Sequence, residues 1–428
     1  MTKNLLDSLT FFHHKTPPDM IKILFSVILF CSIAFSNDNG QLKTGADLLI
    51  SENFELIKGK RLGIVTNHTA VLQNGVHIVD TLFNSKDVTI SALFGPEHGI
   101  RGDAPAGAKI EDGKDYKTGL PAYSLYGKIR QPTPEMLKDV DILIFDIQDI
   151  GARFYTYIST LFYTIKAGAE NNIPVIILDR PNPISGVKVD GPIRKEDQNS
   201  FVGIAPLPVM HGMTIGELSE YFVGEGLIGK VKPELTVIKV KNWQRENYYD
   251  ELDREWIKPS PNIPDLETAI VYPGTCFIEG TNVSEGRGTQ APFLTIGAPY
   301  INSQELIAEL NKLNDGGYEL SAAEFTPVDI EGMASNPKHE GELCKGIKIR
   351  VTDRKKFQPV QFGIKLIYAL HKLYPADFKF REASIDRLSG DKNIRMQIEN
   401  NVEPQEIINS WQDELNDFLS IRKKYLLY

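Results

Sequence analysis

Residues able to do chemistry fall in this sequence where short apolar runs stop. Ile90-Ser91-Ala92-Leu93-Phe94 breaks at Gly95-Pro96 and continues as Glu97-His98-Gly99-Ile100-Arg101, which brings together an acid, an imidazole and a guanidinium. The pattern recurs. Gly63-Ile64-Val65-Thr66 leads into Asn67-His68, and Val140 to Phe145 leads into Asp146, Gln148, Asp149 and Arg153. Pro174 to Leu178 leads into Asp179, Arg180 and Asn182, and His211 stands before Met213-Thr214. A later loop sets Glu279, Asn282, Glu285 and Arg287 among glycines. Two carboxyl groups on opposite sides of a cleft are what cleavage of a glycosidic bond requires. Guanidinium groups add two-pronged recognition of a carboxylate or phosphate.

These residues need a scaffold that gathers them. The runs are short and uniformly apolar, which fits strands buried on both faces. Helical stretches separate them, at Val76 to Asn84 and Phe154 to Asn171 among others, so the pattern reads as α/β with a parallel, doubly wound sheet. In such a sheet the carboxyl ends of the strands lie along one edge, where open α/β sheets bind ligands. Thr214 with Glu217 marks a capped helix start. Residues 102–133 lack periodicity and read as a long binding loop. Pro259-Ser260-Pro261-Asn262-Ile263-Pro264 is a rigid turn and a domain seam. Beyond it, helical patterns at Ser303 to Leu313, Val360 to Leu373 and Pro404 to Tyr425 surround a β-like Gly346 to Val351, so a smaller α+β domain is expected. The expected division is 42–265 and 266–428.

Composition narrows the chemistry. The chain has 428 residues and a net charge of -9, which argues against nucleic acid or an anionic membrane as partner. No phosphate loop, no Gly-x-Gly-x-x-Gly after the first strand, no His-Glu-x-x-His and no Gly-x-Ser-x-Gly elbow is present. Neither a nucleotide nor another cofactor is expected. Three cysteines form no zinc spacing. Met20-Ile21-Lys22 followed by the apolar Ile23 to Phe35 and by Ala34-Phe35-Ser36 has the form of a secretory leader over residues 1–36, with Met20 as the start and an exported mature chain. Cys31 as a lipid attachment point is the weaker alternative, because Ile28-Leu29-Phe30-Cys31 is a poor lipobox.

Taken together, Gly63 to His68, Gly95 to Gly102, Asp146 to Tyr157, Asp179 to Pro183, His211 to Thr214 and Glu279 to Thr289 resemble the exo-acting β-N-acetylmuramidases, from about residue 42 to the C-terminus. The resemblance implies release of N-acetylmuramic acid from the non-reducing end of peptidoglycan fragments. It also implies a Rossmann-like larger domain, a smaller C-terminal domain, and a site in the cleft between them that uses no nucleotide. Under it, Glu97 is the catalytic acid. Glu285, Asp146 and Asp149 are candidates for the second group, unless the substrate's own acetamido group serves as nucleophile. Asn67, His68, His98, Arg101, Arg153, Arg180, Asn182, His211, Glu279, Asn282 and Arg287 are assigned to the substrate. Arg101, Arg153 and Arg287 are the candidates for reading its lactyl carboxylate. Two other classes fit the same residues: a muropeptide-binding protein without turnover, and a metal-dependent hydrolase using Asp146, Asp149 and His98.

Overall fold

The computed structural model describes residues 40–102 and 112–428; the leader-like segment with Cys31 lies outside them. Residues 42–428 form one compact unit. Its first part is a seven-stranded sheet of β1 (Arg61–Thr66), β2 (Thr89–Gly95), β3 (Gly113–Lys114), β4 (Pro121–Ser124), β5 (Ile142–Asp146), β6 (Val175–Leu178) and β7 (Leu235–Ile238). The spatial order is β3-β4-β2-β1-β5-β6-β7. Every neighbouring pair is parallel except β3 with β4 at one edge.

Strict alternation along the strands explains why both faces are covered. Leu62 and Ile64 of β1 and Ile142 and Ile144 of β5 pack into one core, whereas Val65, Leu143 and Phe145 pack into the other. Register then aligns the strand ends: Thr66 pairs with Asp146, and Gly95 with Ser124. The chain winds outward from β1 through β2 and β4 on one side and through β5, β6 and β7 on the other. The switch point is therefore between β1 and β5, where a doubly wound sheet opens its crevice. Here that crevice is closed by the protein itself: the Gln148 amide donates to Thr69 Oγ1 (3.0 Å), whose hydroxyl donates to Asn67 Oδ1 (2.6 Å).

The second part carries a three-stranded antiparallel sheet, β8 (Thr295–Ala298), β9 (Tyr318–Phe325) and β10 (Cys344–Val351), in the order β8-β10-β9. Helix Leu266–Thr275 crosses helix Pro359–Leu373 backbone to backbone. A Cβ on Gly274 would fall 1.8 Å from the Pro359 carbonyl oxygen, so only glycine permits the crossing. Among the described residues no helix is long and apolar enough to cross a membrane.

Three expectations need correction. The segment 102–133 is not a plain loop, because β3 and β4 extend the sheet through it; both are too short to display a period. The aromatic helix starts at Tyr157 rather than Phe154, because Phe154 to Thr156 turn into the site. The continuous helix from Pro404 to Tyr425 is broken, into Pro404–Asn409, Gln412–Arg422 and a final 3-10 turn, around the buried Trp411.

Candidate active site

The turn after β2 is forced by its sequence. Gly99 N–H bonds back to the Pro96 carbonyl (3.0 Å), and His98 and Gly99 both take left-handed backbone (φ 72° and 76°). A left-handed histidine is strained, and such strain persists where surrounding structure holds it. The turn buries His98 and leaves Glu97 half-buried, and both line one pocket. Thr156 Oγ1 donates to Glu97 Oε2 (3.1 Å). Tyr126 also bonds to Glu97; burial first, then the Glu97 charge, pushes its hydroxyl well above the ordinary tyrosine range.

Another part of the pocket lining comes from the glycine-rich loop before β8. Gly286 and Gly288 have φ of 80° and 77°, and a Cβ on Gly286 would sit 2.4 Å from the Thr295 carbonyl oxygen. This tight path presents Arg287 to the pocket. Its Nε and Nη2 donate to Glu279 Oε1 (3.0 and 2.7 Å), and its guanidinium lies over the Phe293 ring (5.2 Å). Glu285 sits behind it, 3.5 Å from Arg287 Nε and 2.9 Å from Lys338 Nζ. Burial pushes the Glu285 carboxyl up, but the Lys338 and Arg287 charges outweigh this and hold it below the ordinary glutamate value.

Residues that the sequence reading did not assign to the site make its floor. Phe154, Tyr155, Thr156 and Tyr157 enter from the start of the long helix, with Tyr155 and Tyr157 edge to face at 4.9 Å. Ser260 and Asn262 enter from the proline-rich seam, where Tyr157 donates to the Pro259 carbonyl (2.6 Å) and Asn262 Nδ2 to the Met333 carbonyl (2.7 Å). The available signal was the run of three hydroxyl side chains after Arg153, and a seam too rigid to be a mere linker.

Several candidates are instead held by the fold. Arg101 forks onto Asp115 (2.8 Å twice) and reaches Asp80 (3.0 Å). Arg153 is buried and donates to the carbonyls of Pro192, Leu207 and Leu388 (2.7 to 2.8 Å). The last of these ends helix Glu382–Ser389, a position that favours a cation. Arg180 grips Asp146, so neither lines the pocket. Asn182 bonds Met213 O and Ile184 N, and Asn282 bonds Asp377 O, Lys379 N and Tyr300. Asn67 is buried in the closed crevice, and His68 Nε2 meets the Lys258 carbonyl (2.8 Å). Asp149 and His211 form a separate buried pair, Nε2 to Oδ2 3.8 Å. Burial pushes Asp149 up to about 7 and His211 down to about 3. The structure thus brings Glu97, His98 and Arg287 into one pocket with Glu279 and Glu285 behind. Among the described residues no group of three His, Cys, Asp or Glu side chains gathers as metal ligands.

Two family models match this chain over nearly its whole compact unit: the N-terminal part of exo-beta-N-acetylmuramidase NamZ over residues 62–267, and its C-terminal part over residues 270–428. The chain belongs to this family. It is 48% identical over 389 residues to the peptidoglycan beta-N-acetylmuramidase NamZ of Bacillus subtilis, covering 91% of this chain and 92% of that protein. Two crystal structures of DUF1343 family proteins from Bacteroides fragilis share the fold. One superposes with a TM-score of 0.84 at 35% identity, covering 91% of this chain and 100% of that one. The other has a TM-score of 0.72 at 35% identity, covering 91% and 99%. The mixed, mostly parallel first sheet and the smaller antiparallel second one are thus the family's architecture.

Proposed function

We propose that the chain is an exo-acting glycoside hydrolase that releases N-acetylmuramic acid from the non-reducing end of peptidoglycan fragments. The observation that carries the reading is that Glu97 and Arg287 line one pocket, in a chain whose B. subtilis relative bears the name of a peptidoglycan beta-N-acetylmuramidase. Glu97, from the 42–265 part, gives its proton to the departing glycosidic oxygen. Arg287, from the 266–428 part, receives the lactyl carboxylate that separates muramic acid from glucosamine. Its planar fork suits that group, and the Phe293 ring and Glu279 pre-set its plane.

Glu97 is the one carboxylate lining the pocket among the described residues. Glu285 is buried behind Arg287 between two cations, where it orients the guanidinium instead of reaching a sugar carbon. The second catalytic group in this reading is the substrate's 2-acetamido oxygen, which attacks its own anomeric carbon as the glycosidic bond breaks; water then opens the ring so formed. The apolar leader-like segment supports export to where such fragments arise, and N-terminal sequencing of the native protein, with a first residue near Asn37, tests that part. A chromogenic N-acetylmuramic acid glycoside tests the activity. Release of chromophore is the expected result, and tight binding without release would make the protein a muropeptide carrier. Inhibition by the corresponding thiazoline tests the acetamido route.

A further inference from the structure

Four α-helices among the described residues begin behind a threonine, and one of these threonines behaves differently. Thr44, Thr133 and Thr214 have extended backbone, and each side chain accepts the N–H three residues on, from Asp47, Met136 and Glu217. That is the ordinary work of a threonine at this position. Thr156 has helical backbone (φ -66°, ψ -14°) and makes no such bond, although it begins the 15-residue helix Tyr157–Asn171. Its hydroxyl donates to Glu97 Oε2 instead. The helix is left without the side-chain acceptor its start would ordinarily have, and the hydroxyl goes to a residue 59 positions away in sequence.

The donor is also held rigidly. The Thr156 carbonyl accepts from Ser159 and Thr160 (3.0 and 3.1 Å), and the neighbouring Tyr157 is pinned to Pro259. Glu97 stands on a turn locked by two left-handed residues. A rigid donor against a rigid turn fixes the plane of the carboxyl group.

We propose that Thr156 is a positioning residue for Glu97: its hydroxyl holds Oε2 and sets the orientation in which the carboxyl group meets the leaving group. This rests on the reading of Glu97 as general acid. Small displacements of a reacting group can reduce rate by up to about 10²-fold, so Thr156→Val, which keeps the shape without the hydroxyl, should lower kcat by roughly 10- to 100-fold. KM should stay within about twofold. Thr156→Ser restores the donor and should recover most of the rate. The basic limb of the kcat/KM profile should move in Thr156→Val and return in Thr156→Ser.

The experiment measures these variants, Glu97→Gln and the double variant Glu97→Gln/Thr156→Val on a glycoside with a poor leaving group, which needs the proton from the general acid, at enzyme concentrations high enough to follow residual turnover. Support is a large loss in each single variant and no further loss when Thr156→Val is added to Glu97→Gln. An independent, multiplying loss in the double variant overturns the proposal, as does full kcat in Thr156→Val or equal losses in the valine and serine variants. Full activity in Glu97→Gln overturns the reading of Glu97 and this proposal with it. Inactive Glu97→Gln beside unaffected Thr156→Val removes this proposal alone.

Discussion

Arg180 meets Asp146 through two parallel bonds, Nε to Oδ1 at 2.5 Å and Nη2 to Oδ2 at 3.0 Å, and both side chains are all but inaccessible. A desolvated pair of this kind is intolerant of losing one member, because the other charge is left alone in a dry interior. Arg180→Ala or Asp146→Asn should each destabilise by roughly 3–5 kcal/mol. Urea denaturation checks this, and any activity lost should follow the folded fraction rather than the chemistry.

The arginines should separate by what they hold. Arg287→Lys should lower the preference for muramic acid over glucosamine glycosides, since lysine cannot form the fork; losing one partner of a desolvated pair lowers affinity by roughly 2–5 kcal/mol. Arg101→Lys and Arg153→Lys should lower the melting temperature and leave that preference unchanged. The ratio of kcat/KM values on the two glycosides is the measurement.

Glu97→Gln should reduce kcat on a substrate with a poor leaving group by about 10²–10⁴-fold, the usual contribution of a general acid. The reduction should be smaller on an activated aryl glycoside, whose leaving group needs no proton. Equal losses on both substrates would give Glu97 a different role.

The buried Asp149–His211 pair sets opposing pH dependences. Asp149 has its folded pKa raised from 3.8 to about 7, so the stability it lends is complete below about pH 3.8 and lost as pH rises to about 7. His211 has its folded pKa lowered from 6.5 to about 3, so its contribution is complete above about pH 6.5 and lost as pH falls towards 3. Asp149→Asn should therefore gain on the wild type between pH 5 and pH 7, by at most about 1.4 kcal/mol per pH unit. His211→Gln should resist acid better than the wild type. Urea midpoints across that range decide both.

Gly274→Ala tests the helix crossing. The added methyl meets the Pro359 carbonyl and has no flexible side chain to displace. Overpacking of this sort destabilises by roughly 1–3 kcal/mol. Because the same helix leads into the turn that carries Glu279, the variant should also weaken substrate binding, seen as a raised KM.

What was legible in the sequence follows from how local each cause is. The central strands β1, β5 and β6 announced themselves because burial on both faces leaves their interiors apolar, and the Thr214 cap because Glu217 answers it three residues on. Glu97 and Arg287 were legible as chemistry at strand and loop ends. Arg101 and Arg153 looked equally good, for a guanidinium beside a strand tip reads the same whether it meets a ligand or Asp115 and the Leu388 carbonyl. Those partners lie 14 and 235 residues away, and only the fold reveals them. Thr156 was invisible for the converse reason: it occupies an ordinary capping position and does something else there.

The pocket takes Glu97 from one turn, Thr156 from a helix start, Asn262 from the seam and Arg287 from a loop 190 residues after the first of these. No stretch of chain owns it. During synthesis, a nascent chain that has completed β1 to β7 contains Glu97 and Thr156 but not yet Asn262 or Arg287. Hydrolysis is thus the last property this polypeptide acquires as it is made, and a chain cut short after the first sheet lacks Asn262 and Arg287 from its pocket.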